Sequence, residues 1–508
     1  MIVGIDLGTT FSAIARLDDL GKPEIISVNG QDTTPSVVFF DEAQNRILVG
    51  QEAVELGFFN PKGVEEFIKR RIGDQNDQYV RQFRNQQYRP EDISAEILKG
   101  LKIAAEFEVN EPVEQVVITV PANMTACGKE RTRKAGEKAG FNSIMLVSEP
   151  TAAALDYTAR RKPVAQNVAV YDLGGGTFDA TILRMEPGTS GGWRVRVLAT
   201  DGDNRLGGKD FDEAIIGYIA QQLASQHQVD RRSFGPQEFF ELRRRAEQAK
   251  VELSGHNRHE TTLRLNLLGR SYQINLNRDT FNSLIEGALI RAETKMDQAI
   301  GKAQLSTSQI DLVLLVGGSS RIPLVRERLC GKFGKEKVNS ALNPDKAVAH
   351  GAALMAGKIK VEEESKQDSQ GRQGRLGGVS EAVRNELGGL EVSDILPYSI
   401  GVVASRPNGP DFNSIILSRG TPLPMQNWSS RQYHTNTPGG AVISLVQGDT
   451  PELSQCITIG ELQFDLPNLP AQTEVNVFIR CRADGLLEAV AEAPKYERSV
   501  QGEIRLRV

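Results

Sequence analysis

The sequence predicts a two-lobed α/β domain followed by an all-β sandwich, and three observations carry that prediction. A short strand, tight turn, strand unit occurs twice in the first half of the chain. Apolar strand runs alternate with helical patterns as far as about Ile359. Beyond a polar stretch, only short β-forming runs separated by Pro, Gly and Asn turns remain. The implied boundaries are residues 1–359 for the α/β part, 360–394 for a linker and 395–508 for the sandwich.

The first element is Val3-Gly-Ile-Asp-Leu-Gly-Thr-Thr-Phe-Ser-Ala13, and Val170-Tyr-Asp-Leu-Gly-Gly-Gly-Thr-Phe-Asp-Ala180 repeats it with one inserted residue. A lone Asp-Leu-Gly turn is most often just a hairpin. Two copies, each ending an apolar strand, point instead to phosphate, because glycine lets backbone N–H groups approach its oxygens with no Cβ in the way. Asp6 and Asp172 stand at the bends, placed to hold a hydrated Mg²⁺. Where the first copy has Ser12, the second has Asp179, a general-base candidate. Two facing hairpins would grip one nucleotide from both sides.

Between and after the hairpins, Gln115-Val-Val-Ile-Thr-Val120 and Asp311-Leu-Val-Leu-Leu-Val316 read as buried strands, and residues 238–253 as a helix. The run Val361-Glu-Glu-Glu-Ser-Lys-Gln-Asp-Ser-Gln-Gly-Arg-Gln-Gly-Arg375 is polar and glycine-punctuated, the composition of a disordered linker. Ala441-Val-Ile-Ser-Leu-Val446 and Glu474-Val-Asn-Val-Phe-Ile479 are typical of the β-rich end.

Composition narrows the classes further. With 508 residues there is length for about three domain-sized units at ~150 residues each. Sixty basic against 65 acidic side chains give a net charge of −5, which offers no reason to expect nucleic acid or an anionic membrane surface. No apolar run nears the ~18 residues of a spanning helix, and strand residues begin at once, so no signal peptide and a cytoplasmic location are expected. Cys127, Cys330, Cys456 and Cys481 lack Cys-x-x-Cys spacing, which argues against structural zinc.

The two hairpins resemble the phosphate loops of the sugar kinase, actin and heat-shock ATPase superfamily. Further motifs narrow the resemblance to the seventy-kilodalton heat-shock chaperones of the DnaK type: Asp32-Thr-Thr-Pro-Ser-Val-Val38, Phe67-Ile-Lys-Arg70, Val117-Ile-Thr-Val-Pro-Ala122, Glu149-Pro-Thr-Ala-Ala-Ala154, Leu206-Gly-Gly-Lys-Asp-Phe-Asp212, Val316-Gly-Gly-Ser-Ser-Arg-Ile-Pro323 and Asn343-Pro-Asp345. They follow the family's order across nearly the whole ATPase region. The resemblance implies an actin-like heat-shock ATPase that hydrolyses ATP with Mg²⁺, and with K⁺ as a companion ion.

Carried over by position, Gly8, Thr9 and Thr10 would serve phosphate and metal from the first lobe, and Gly174, Gly175, Gly176 and Thr177 from the second. Lys69 would place an ammonium near the γ-phosphate and attacking water, within an acidic group of Glu149, Asp172 and Asp179 that makes sense only with cations bound. Glu247, Lys250 and Ser254, on one helical face, would meet adenosine, with Gly317, Gly318, Ser319, Arg321 and Asp345 on the facing wall.

The β region resembles the family's peptide-binding sandwich, whose cleft holds an extended apolar segment. Val402, Ala441 and Ile443 fall at its pocket, while Ser405 and Asn436 stand where the family has an apolar arch. Unfolded or extended polypeptide is the implied partner, with a J-domain co-chaperone and a nucleotide-exchange factor as helpers. Met145 and Ser148 replace polar residues near Glu149 that J-domains engage, which puts that fit in question. Lys129 stands in place of the usual switch arginine. The helical lid is expected to be lacking, and Leu390-Glu-Val-Ser-Asp394 offers little apolar surface, so weak docking of the linker is expected.

The reading is an ATP-dependent chaperone of divergent, lidless form. Its alternative is an ATP-gated scaffold or sensor whose β domain binds one dedicated partner. A small-molecule kinase is a weaker rival, since the β region has no role in one.

Overall fold

The structure, a computed structural model, describes all residues except 75–77, 160, 190–191, 340–341, 370–380, 407–408, 437, 439, 466–469, 497, 503–504 and 507–508. Two mixed sheets with helices packed on them build its first part. One runs in spatial order Ser143–Ser148, Gln115–Val120, Ile2–Asp6, Phe11–Leu17, Pro23–Ile25. The other begins Val338–Asn339, Leu312–Val316, Gln166–Leu173, Phe178–Pro187, Trp193–Asp203. Both share one wiring: a central strand turns back through an antiparallel pair, and two parallel strands lie on its other side. The central strands are Ile2–Asp6 and Gln166–Leu173, so each duplicated hairpin opens at the same place in its sheet.

The parallel strand Leu312–Val316 is fully buried and reads as a continuous apolar run. The helix Ala347–Ser369 packs on the Ile2–Asp6 strand and on the helix Glu149–Thr158. Gly351 permits that approach, because a Cβ there would strike the backbone of Ala152. Proline opens both Glu149–Thr158 and Pro236–Ser254, where a missing N–H costs nothing. Glu238 caps the latter by accepting the Gly235 N–H at 2.9 Å.

Two antiparallel sheets form the C-terminal part. One comprises Gly409–Leu417, Ile400–Arg406, Gly440–Gln447, Ile457–Asp465 and Arg505–Leu506; the other Ser429–His434, Glu474–Cys481, Leu487–Ala493 and Arg498–Gly502. Leu445, Ile459 and Leu462 of the first share a core with Val475, Val477 and Ile479 of the second. The alternation of buried and half-buried residues along Glu474–Cys481 is the pattern of a strand with one face in that core.

The linker differs from expectation. Residues 360–369 continue the helix that begins at Ala347, residues 381–388 form a second helix, and Glu391–Ile395 is a strand. The remaining linker residues, 370–380, lie outside those described. Composition alone averaged over the signal: Val383, Leu387 and Leu390 return at helical spacing and pack into the core of the second sheet. The strand then pairs in parallel with Trp193–Asp203 and antiparallel with Pro422–Leu423, joining the α/β sheet to the β region. Weak docking is corrected too. Apolar area was the wrong measure, because the backbone of Glu391–Ile395 is paired and Glu391 itself binds Arg194 at 2.6 Å and the Thr189 N–H at 2.7 Å.

Candidate functional site

A cavity of about 1060 Å³ lies between the two α/β sheets, and the two glycine turns meet in it. Gly8, Thr9 and Thr10 line it from one side, Gly174, Gly175 and Thr177 from the other. The turns touch: a Cβ on Gly175 or Gly176 would run into the side chains of Thr10 and Thr9. That is why glycine stands there. Gly176 does not line the cavity; its carbonyl accepts from Arg70 Nε at 2.7 Å.

Behind the turns sits a buried charged group. Lys69, on the short helix Lys69–Ile72, is hydrogen-bonded to Glu149, the first residue of its helix. Just before it the chain passes through φ 59° at Phe67, a left-handed conformation costly for an aromatic residue, and the Lys209 ammonium sits 4.3 Å from that ring. Asp6 accepts from Thr119 Oγ1 at 3.1 Å. Burial, then the charge on Glu149, push Asp6 up to about 7, with Lys69 opposing. The same two causes hold Asp172 and Asp179 well above the usual carboxylate range. Burial would lower Lys69, but Glu149 and Asp6 outweigh it and its pKa is raised. Asp179 lies behind the cavity wall, and neither carboxylate oxygen has a hydrogen-bond partner.

The adenosine set also lines the cavity. Glu247, Lys250 and Ser254 come from the helix Pro236–Ser254; Gly317, Gly318, Ser319 and Arg321 follow the strand Leu312–Val316; Asp345 completes the wall. Several are already paired: Lys250 with Asp212 at 2.9 Å, Arg321 with Asp345 at 2.6 Å, Ser319 Oγ with the Gly174 carbonyl at 2.9 Å. Sequence reasoning missed Arg70, whose Nη2 reaches Asp210 at 2.5 Å across the two sheets. Its only sequence signal was its place beside Lys69.

The other predicted residues are placed less uniformly. Val402 and Ile443 lie in the shared core of the β region, while Ser405 and Asn436 are exposed. Ala441 pairs with Phe464 in the sheet, on the same strand as Ile443. Ser148 is buried and bonded to Thr151. Lys129 is buried between the α/β part and the β region, where a Cβ on Gly485 would meet its ammonium.

This geometry, two facing phosphate turns with a Lys–Glu pair and three carboxylates behind them, agrees with the comparisons. The family described as Hsp70 protein matches residues 2–506. The chain belongs to the Hsp70 family. It is 34% identical over 502 residues to the chaperone protein DnaK of Thermosipho melanesiensis, covering 97% of this chain and 78% of that one. The corresponding DnaK of Thermotoga neapolitana is 34% identical over 503 residues, again 97% and 78%. That of Deinococcus proteolyticus is 33% identical over 520 residues, 96% and 76%. This DnaK-type Hsp70 is an ATP-hydrolysing chaperone that binds nucleotide and unfolded polypeptide, and the scaffold alternative gains nothing from these relatives. Among the described residues no helix is long and apolar enough to cross a membrane.

Proposed function

We propose that the two similarly wired sheets are the lobes of an actin-like ATPase spanning residues 1–359, with the β region 395–508 as its peptide-binding part. The observation that carries this is the meeting of both glycine turns with Lys69, Glu149 and Asp172 around one cavity. In this reading Gly8, Thr9, Thr10, Gly174, Gly175 and Thr177 cradle the phosphates, while Gly176 packs the second turn against Thr9. Glu247, Lys250, Ser254, Gly317, Gly318, Ser319, Arg321 and Asp345 hold adenosine. Lys69 stabilises charge developing on the γ-phosphate, and Glu149 keeps that ammonium oriented.

The residues fit a bound cation. Bare carboxylates this buried are pushed towards protonation, and Asp179 has two oxygens without partners. Among the described residues no three such groups close on an ion by themselves, which suits Mg²⁺ held through water and phosphate. Asp6 and Asp172 would hold it, and a K⁺ would find further carboxylate oxygen at Glu149. When bound, the metal supplies charge neutralisation on the phosphates. Asp179 then serves as general base towards the attacking water.

For the polypeptide, Val402, Ala441 and Ile443 form the pocket side and Ser405 and Asn436 the arch. A J-domain co-chaperone and an exchange factor act on the ATPase part, in the cytoplasm. The experiment is single-turnover hydrolysis of ATP by the full chain, with peptide-array binding in ATP and ADP. Hydrolysis together with broad capture of apolar segments is expected. An array that stays silent, or turnover without Mg²⁺, would overturn the reading.

A further inference from the structure

Tyr398 belongs to the β region, yet its hydroxyl donates to the backbone carbonyl of Asn123 at 2.9 Å, in the loop after the Gln115–Val120 strand. The ring is half-buried, and desolvation followed by the charge on Asp179 pushes the phenol up to about 12. Asn123 is itself buried, with an Oδ1 that has no hydrogen-bond partner. Its Nδ2 and Asp179 Oδ1 crowd one point: a Cβ on Gly202 would stand 2.5 Å from the first and 2.7 Å from the second. Gly202 is also the cross-strand partner of Asp179. Asn123 and Asp179 therefore both approach Gly202, and Asp179 has no hydrogen bond of its own to fix it.

The Asn123 loop and the strand Trp193–Asp203 are both held from the β region. Arg419 Nη2 donates to the Thr200 carbonyl at 2.9 Å, and its guanidinium lies 5.9 Å from the centre of the Tyr398 ring. Arg419 is tied in turn to Asp449 at 3.1 Å. Two residues of the β region thus bind the Asn123 loop and the strand that pairs with Asp179.

We propose that Tyr398 is a positioning residue for Asp179, acting through Asn123. The proposal rests on the reading of Asp179 as the general base. A carboxylate that takes a proton from water must be held within fractions of an ångström, and a loose Asn123 loop widens that placement. Neither Tyr398 nor Asn123 lines the cavity, so the effect belongs to turnover and not to binding.

The test is single-turnover and steady-state hydrolysis by the full chain carrying Tyr398→Phe, which removes one oxygen and keeps the ring. The expected kcat is three- to tenfold lower, the scale of one neutral hydrogen bond, with KM for ATP within twofold and the unfolding temperature unchanged. Asn123→Ala supplies a second variant. If Tyr398 acts through Asn123, adding Tyr398→Phe to Asn123→Ala slows the enzyme no further, whereas independent roles multiply. A Tyr398→Phe rate within twofold of the parent, or multiplying effects, overturns the proposal. Asp179→Asn separates the two failures. A slow Asp179→Asn beside a fast Tyr398→Phe removes the proposal alone, and an Asp179→Asn at parental rate removes the site reading and the proposal with it.

Discussion

Glu391 binds Arg194 at 2.6 Å, and through that pair the segment between the two parts of the chain is held to the edge of the ATPase sheet. Arg194, with Thr189, draws the Glu391 carboxyl down to about 2, so it stays ionised at any physiological pH. The clasp is solvent-exposed and therefore screened. Glu391→Gln should raise amide hydrogen exchange across Glu391–Ile395, and ~1 M salt should do the same to the parent. The double exchange Glu391→Arg with Arg194→Glu should restore protection. Protection indifferent to all three would show that backbone pairing alone holds the strand.

Arg70 makes a second bridge, from the helix Lys69–Ile72 to Asp210 and to the Gly176 carbonyl. Both contacts cross the nucleotide cleft, so opening must break them. Charge-assisted hydrogen bonds are worth ~1.5–3 kcal/mol each when half buried. Arg70→Ala should release ADP roughly tenfold faster, read by displacement of a fluorescent nucleotide. Release at the parental rate would mean that the cleft opens without separating these residues.

The phosphate turns were legible in the sequence because their chemistry restricts residue choice: only glycine lets Gly175 and Gly176 lie against Thr10 and Thr9. The wiring of the two sheets followed from the duplicated hairpin. Arg70 and Asp210 were not legible as a pair, since they are far apart in sequence and meet only when the sheets face each other. The docked strand was misread for a different reason. A charged residue among apolar ones lowers apolar area, but pairing at a sheet edge is made by the backbone, which composition does not report. The peptide pocket remains the least legible, because Val402 and Ile443 are indistinguishable from sandwich core.

Lys69 and Asp179 should fail in the same way when replaced. Each is buried beside the glycine turns, and neither is among the residues proposed to hold adenosine. Lys69→Ala and Asp179→Ala should lower single-turnover hydrolysis by ~10²–10⁴ while ATP still binds. Rapid-quench measurement at saturating ATP decides it. Parental rates in either variant would remove that residue from the chemistry.

Asp212 gives a dependence on pH. It lies in the first part of the helix Gly208–His227, 2.9 Å from the Lys250 ammonium. Burial raises its pKa to about 6, with Lys250 pulling the other way. The folded chain therefore keeps this proton up to about pH 6, whereas the unfolded chain gives it up near the ordinary carboxylate value of 3.8. Between those values the native state binds more protons than the unfolded one, so stability falls as pH rises. The contribution is complete below about pH 4 and lost above about pH 6. Two pKa units correspond to about 3 kcal/mol. Asp212→Asn cannot titrate, and the other raised carboxylates, Asp6, Glu96, Asp172 and Asp179, affect parent and variant alike. In urea unfolding without nucleotide, the parent's midpoint should drop more than the variant's between pH 4 and pH 7. A parent that instead gains on the variant as pH rises would mean that the Lys250 pair outweighs burial and that Asp212 is ionised in the folded chain throughout.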